Sequence, residues 1–148
     1  MRKLIFCFIL ISSAFCSTGQ LKNGYEIKVN IRELQDSTVF LAYHLGDKQY
    51  LKDTLKLDPD GHGVFRGTES LPQGIYMVVL PGRRYFEILI SSEQFFSLSC
   101  NYSDYFKSLE FKGSEENTRF VDYQKKWVAM QDDAAKLNER IQKNKQGT

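Results

Sequence analysis

Residues 75–90 read Ile75-Tyr76-Met77-Val78-Val79-Leu80-Pro81-Gly82-Arg83-Arg84-Tyr85-Phe86-Glu87-Ile88-Leu89-Ile90. The run from Ile75 to Leu80 is apolar on both faces, which predicts a doubly covered strand inside a sheet. Leu80-Pro81-Gly82-Arg83 suits a type II turn, because proline presets φ at the second position and glycine accepts the positive φ needed at the third. Tyr85 to Ile90 then returns as the hairpin mate. This hairpin sets the expectation of an antiparallel β domain.

The flanking sequence extends the pattern. Tyr25, Ile27, Val29 and Ile31 alternate with Glu26, Lys28 and Asn30, the period-two signature of a half-buried strand. Val39, Leu41, Tyr43 and Leu45 repeat it. Leu55 and Leu57 lead into Asp58-Pro59-Asp60-Gly61, a strong turn signal, and His62 to Arg66 is expected to return as the partner strand. Downstream, Phe95 to Cys100 and Leu109 to Phe111 add two more. About eight short strands with turn signals at near-regular spacing predict an antiparallel β-sandwich or barrel over residues 20–112. Aromatic residues make up 14% of the chain and supply a large core payload for one domain.

At Gly113 the period changes. Ser114 is a plausible N-cap, and Glu115 and Glu116 put negative charge on the first turn of a helix over residues 113–148. Apolar residues then recur at Phe120, Tyr123, Trp127, Met130, Ala134, Leu137 and Ile141, in alternating steps of three and four. That is a heptad seam, with Lys, Asp, Glu and Gln filling the other positions. The stretch from Ser114 to Ile141 spans roughly 40 Å at about 1.5 Å per residue, farther than one sandwich reaches. Phe120, Tyr123, Trp127, Met130, Leu137 and Ile141 are therefore the candidate interface. The seam pairs between chains, or the chain is the front part of something longer. The competing reading lays the whole helix along its own sandwich.

The N-terminus has the layout of a secretory signal over residues 1–19. Arg2 and Lys3 precede an apolar run from Leu4 to Ile11, and small or polar residues Ser17, Thr18, Gly19 and Gln20 follow. Ser17 and Gly19 meet signal peptidase's preference for a cut before Gln20. The run is short of the roughly 20 apolar residues that span a bilayer. Lipoprotein anchoring through Cys16 is the weaker alternative, since Phe15 stands where a lipobox has a small residue. The chain has 20 Lys+Arg and 18 Asp+Glu; removing Arg2 and Lys3 leaves 18 of each, hence no net charge. With neither a basic stripe nor a positive field, nucleic acid is not an expected partner.

Sites for chemistry are hard to find. Cys7 and Cys16 fall in the signal, so Cys100 stands alone, with no C-x-x-C pair, and reads as a small buried hydrophobe. His44 and His62 have no metal-ligand spacing. Asp58, Asp60 and Gly61 form a turn, without the ligand ladder of a calcium loop. There is no G-x-S-x-G, P-loop or G-x-G-x-x-G sequence. No catalytic residue, cofactor or metal is assigned.

Four stretches, taken in order, carry a family resemblance. Gly24-Tyr25-Glu26-Ile27-Lys28-Val29 opens the mature chain, and the hairpin segment Asp58-Pro59-Asp60-Gly61-His62-Gly63-Val64-Phe65-Arg66-Gly67 follows. Leu71-Pro72-Gln73-Gly74-Ile75-Tyr76 resembles an L-P-x-G-x-Y element, and Phe111-Lys112-Gly113-Ser114-Glu115-Glu116-Asn117 an F-x-G-S-x-x-N element. The order is similar to the N-terminal domain of unknown function in envelope thiol–disulfide oxidoreductases, where it precedes a helical segment and a thioredoxin-like domain of the alkyl hydroperoxide reductase/thiol-specific antioxidant type. The catalytic C-x-x-C of those proteins has no counterpart here. The resemblance implies a periplasmic accessory role: positioning, dimerising or docking a redox domain.

Two readings compete with that one. Tyr43, Tyr50, Tyr76, Tyr85 and Tyr102 would form a stacking platform for glycan or peptide if they share an exposed face. Alternatively the chain is a stand-alone oligomer, with Trp127 and Met130 as interface anchors.

Overall fold

The structure, a computed structural model, describes residues 23–146. The expected signal over 1–19 and the Cys16 anchor lie outside the described residues. Eight strands come first: β1 (Tyr25–Arg32), β2 (Thr38–Leu45), β3 (Lys48–Lys56), β4 (His62–Gly67), β5 (Gly74–Leu80), β6 (Arg84–Ile90), β7 (Phe95–Asn101) and β8 (Glu110–Lys112). One long helix, α1 (Glu115–Gln146), follows. The strands form two open four-stranded sheets, β4-β1-β7-β8 and β3-β2-β5-β6, so the domain is a sandwich and not a closed barrel.

Alternation decides which side chains face the gap between the sheets. Ile27, Val29 and Ile31 of β1 and Phe96, Leu98 and Cys100 of β7 meet Val39, Leu41, Tyr76, Val78, Phe86, Ile88 and Ile90 of the second sheet, all nearly excluded from solvent. The intervening Lys28, Arg32, Ser97 and Ser99 turn outward. β5 lies inside its sheet between β2 and β6, as its apolar run predicts, although Ile75 at its start is exposed. Gly82 has φ 74°, the positive value expected of it, and Arg83 at φ 60° shares the strain of the three-residue turn.

Two pairings depart from expectation. β1 pairs with β7 in parallel, the one parallel ladder among the described strands. β4 does not pair with β3 across the Asp58-Pro59-Asp60-Gly61 turn; β3 pairs with β2, and β4 with β1. The turn is a corner that carries the chain from the edge of one sheet to the edge of the other. Asp58 builds it: its Oδ1 accepts from the backbone N–H of Asp60 at 2.9 Å and of His62 at 2.8 Å. Gly61, at φ 79°, presents its carbonyl to the Ile31 N–H at 2.9 Å. Leu57, 1% exposed, plugs the gap beneath.

The opposite side of the sandwich, between the β6 and β8 edges, is closed by the start of α1. Gly113 (φ 84°) turns the chain, and the Ser114 hydroxyl accepts from the Asn117 N–H as an N-cap at 3.3 Å. The Asn117 amide then grips the backbone of Leu89 on edge strand β6. It accepts from the Leu89 N–H at 2.7 Å and donates to the Leu89 carbonyl at 2.8 Å. One side chain thus fills the role of a neighbouring strand at an edge that would otherwise be unpaired. Lys125 donates to the Leu109 carbonyl at 2.8 Å, and Gln124 to Glu87 at 3.0 Å, so the anchor involves both sheets.

Candidate docking surface

Beyond this anchor α1 leaves the sandwich. Every residue from Lys126 to Asn144 is exposed, an arm of roughly 28 Å at about 1.5 Å per residue. The helix has two apolar faces with different fates. Ser114, Asn117 and Val121 are buried against the sandwich. At about 100° per residue, Tyr123, Trp127, Met130, Leu137 and Ile141 point between about 120° and 180° away from Val121. They are 63%, 51%, 64%, 58% and 42% exposed, which makes the seam an outward stripe. Phe120, about 100° from Val121, is half-buried at the junction. The competing expectation, a helix lying wholly on its own sandwich, is overturned. At the root of the stripe Phe106, Tyr123, Trp127 and Val128 line a shallow, mostly apolar recess.

Such an arm is a poor free-standing helix. Most helical stability in proteins comes from packing of an apolar face, and this arm leaves its stripe in solvent. A contiguous exposed apolar stripe rimmed by charge is the usual mark of an interaction surface. Its only ion pairs among the described residues are local and exposed, such as Lys136–Asp133 at 3.6 Å and Lys143–Glu139 at 2.7 Å.

The five tyrosines do not form one platform. Cross-strand register puts Tyr50, Tyr43 and Tyr76 in a row over β3, β2 and β5, with ring centroids 5.6 Å and 5.4 Å apart. The row runs into the core: Tyr50 is exposed, Tyr43 half-buried, and Tyr76 buried with its hydroxyl on the Pro72 carbonyl. Tyr85 stands exposed on β6, and Tyr102 lies under the Arg84 guanidinium, 4.7 Å from ring centre to Cζ. Only part of the proposed platform meets water, and its members serve packing.

The remaining chemistry-bearing groups are quiet. Cys100 is fully buried, and burial pushes its thiol up to about 12, leaving almost no thiolate at neutral pH. Burial, assisted by the Asp53 carboxylate that accepts its proton at 3.0 Å, likewise holds the Tyr25 phenol up at about 12. His44 is exposed and within 3.4 Å of Gln49; His62 is exposed beside the corner turn. Among the described residues no cluster of His, Cys, Asp and Glu could hold a metal, and no helix is long and apolar enough to cross a membrane. The outer face of the first sheet forms an open groove of about 570 Å³ lined by Gly63, Ser97 and Ser99 together with Lys28, Arg32, Glu110 and Lys112.

The resemblance motifs turn out to be sockets of the fold. Asp58 and Gly61 make the corner, and Gly113, Ser114 and Asn117 make the helix anchor. Leu71 of the L-P-x-G-x-Y element is held by Gln94, which sequence reasoning missed. The buried Gln94 amide accepts from the Leu71 N–H at 2.7 Å and donates to the Leu71 carbonyl at 2.9 Å. A polar residue between two apolar strands was the only signal.

The family model described as Domain of unknown function (DUF4369) matches residues 25–120, the sandwich together with the first six residues of α1. No curated protein and no solved structure matches. The chain belongs to that domain family.

Proposed function

We propose that this member of a domain family of unknown function is a non-catalytic accessory module that works by docking. The sandwich is a rigid base, and α1 is the contact element. The outward stripe of Tyr123, Trp127, Met130, Leu137 and Ile141, with Phe120 at its root, carries the reading, because it is large, apolar and turned away from the chain's own core. The signal read over residues 1–19, ahead of a sandwich domain (20–112) and a helix (113–148), supports an exported module, and its resemblance to envelope oxidoreductase N-terminal domains supports the periplasm. In that setting it would position or dock a thioredoxin-like redox domain, with the chemistry belonging to the redox domain. The buried, unreactive Cys100 supports a role without thiol chemistry.

The test is an insulin-reduction assay on the purified chain and on its Cys100→Ser variant, with dithiothreitol as electron donor. No rate above background is expected from either. Turnover that survives Cys100→Ser would overturn the reading. The mass of the native protein in the source cell's envelope fraction then tests the redox setting. A mass well above 17.2 kDa, with a C-x-x-C peptide in its digest, is expected if the module sits in front of a redox domain. The alternative, a glycan- or peptide-binding sandwich, draws support only from Tyr50 and Tyr85, since the other rings are engaged in packing.

A further inference from the structure

The groove on the outer face of the first sheet is built from two cross-strand rows of different chemistry. Register sets Val64, Lys28, Ser97 and Lys112 side by side on β4, β1, β7 and β8. Two residues along each strand, about 6.6 Å away, His62, Asn30, Ser99 and Glu110 form the next row. Both rows carry a serine on β7, between longer side chains on β1 and β8. That difference in reach hollows the face into a groove of about 570 Å³, a volume within the range of small-molecule sites. It lies on the opposite sheet from the row of Tyr50, Tyr43 and Tyr76.

The two rows offer a ligand opposite groups. Lys28 and Lys112 put an ammonium on either side of Ser97. Lys112 makes no ion pair among the described residues. Lys28 touches Glu26 at 3.5 Å, but that carboxylate is shared with Arg66 at 3.1 Å, and an ammonium has three N–H donors to place. The second row supplies acceptors. One is the Glu110 carboxylate, which also makes no ion pair among the described residues. The other is Oδ1 of Asn30, a residue of the groove lining, and this oxygen is buried without a hydrogen-bond partner. An unpaired buried acceptor weakens a fold and calls for an explanation. The charge count of the whole groove is small: Lys28, Arg32 and Lys112 against Asp58 and Glu110 leave a single net positive charge with His62 neutral. That suits a ligand with one negative charge better than a phosphate chain.

We propose that this groove binds a small hydroxylated carboxylate of the sugar-acid class. The carboxylate sits over Ser97, between the ammonium groups of Lys28 and Lys112. The hydroxyls at the other end of the molecule lie over Ser99 and donate to Glu110 and to Asn30, whose amide presents Oδ1 by a half-turn about its terminal bond. Val64 and the aliphatic stems of the lysines support the C–H face of the ring. Binding makes and breaks no covalent bond. The site uses no residue of α1, so it stands or falls separately from the docking reading.

Titration of the full chain with sodium glucuronate, followed by backbone amide NMR shifts, tests the proposal. Saturable shifts are expected at Lys28, Asn30, Ser97 and Ser99, with a dissociation constant of about 1 mM. Glucose lacks the carboxylate and acetate lacks the hydroxyls, so each should bind at least about ten-fold more weakly. Lys112→Ala should weaken glucuronate about ten-fold, whereas Lys112→Arg, which keeps the charge, should stay within about three-fold of the parent. Asn30→Ala should weaken glucuronate about five-fold, yet leave the urea midpoint at or above that of the parent, because it removes an unpaired acceptor. A lowered midpoint would make Asn30 a structural residue and overturn its role. The absence of saturable shifts up to about 20 mM glucuronate, acetate binding as tightly as glucuronate, shifts centred on the tyrosine row, or a Lys112→Ala variant that binds like the parent overturns the proposal.

Discussion

Replacing Asn117 with alanine tests the anchor on which the arm's position depends. The side chain is 1% exposed and makes three hydrogen bonds: with the Leu89 N–H at 2.7 Å, the Leu89 carbonyl at 2.8 Å and the Ser114 hydroxyl at 3.0 Å. A typical bond contributes about 1 kcal/mol net, and groups left buried without a partner cost more, so Asn117→Ala should lose about 3 kcal/mol. At a urea slope of about 1.5–2 kcal/mol/M the unfolding midpoint falls by about 1.5–2 M. Far-UV ellipticity is the signal to follow, because Trp127 is half-exposed on the arm and reports poorly on the sandwich. Asn117→Asp keeps an acceptor for the Leu89 N–H but sets a second oxygen against the Leu89 carbonyl, so it should fare no better than alanine. Asn138→Ala, on the exposed arm, should stay within about 0.5 kcal/mol of the parent. If Asn117→Ala also stays within about 0.5 kcal/mol, with the Leu89 amide as protected from exchange as before, then the amide does not secure the edge of β6.

The corner and the alkaline limit give two further outcomes. A Cβ at Gly61 would sit 2.3 Å from the Ile31 carbonyl oxygen at φ +79°, whereas one at Gly46 (φ +64°) would meet nothing within 4 Å. Gly61→Ala should therefore cost about 3 kcal/mol or more and Gly46→Ala about 1 kcal/mol by urea titration; equal losses would remove the steric argument. Tyr25 titrates at about 12 when folded against 10.0 unfolded, so the folded chain holds the proton longer. The stability from this group is intact below pH 10 and falls as pH rises from 10 toward 12. Tyr25→Phe should flatten this alkaline decline in thermal midpoint, and an unchanged slope would reassign the effect.

The strands were legible because alternation is local: each of the eight expected segments lies within a strand or overlaps one. Partnership was not. A Pro-Asp-Gly turn between two strand patterns looks the same whether the chain folds back within a sheet or turns a corner between two. What decides is β1, whose one edge takes β4 and whose other takes β7, some 70 residues downstream in register. The parallel pairing was hidden for the same reason. The helix and its apolar periodicity were legible, but the direction of that stripe was not. Which face of α1 meets the sandwich is set by Ser114, Asn117 and Val121, a polar-rich set that no hydrophobic pattern would choose. Gln94 and Asn117 escaped notice as structural residues because each acts through backbone groups far away in sequence.

That distinction bears on where function resides. The residues that carry the resemblance are used up by the fold: Asp58 and Gly61 turn the corner, Leu71 is locked by Gln94, and Ser114 and Asn117 fasten the helix. A chain sharing those motifs shares the sandwich and the direction in which α1 leaves it, and need share no chemistry. What the sandwich does not use is the opposite face of α1 from Tyr123 outward. An apolar stripe there gains nothing for the isolated chain, since it adds solvent-exposed hydrocarbon to a helix that packing does not support beyond Lys125. The anchor, by contrast, fixes the stripe's direction with buried hydrogen bonds on Leu89. A helix held firmly at its root and left bare along its outward side is arranged to present a surface.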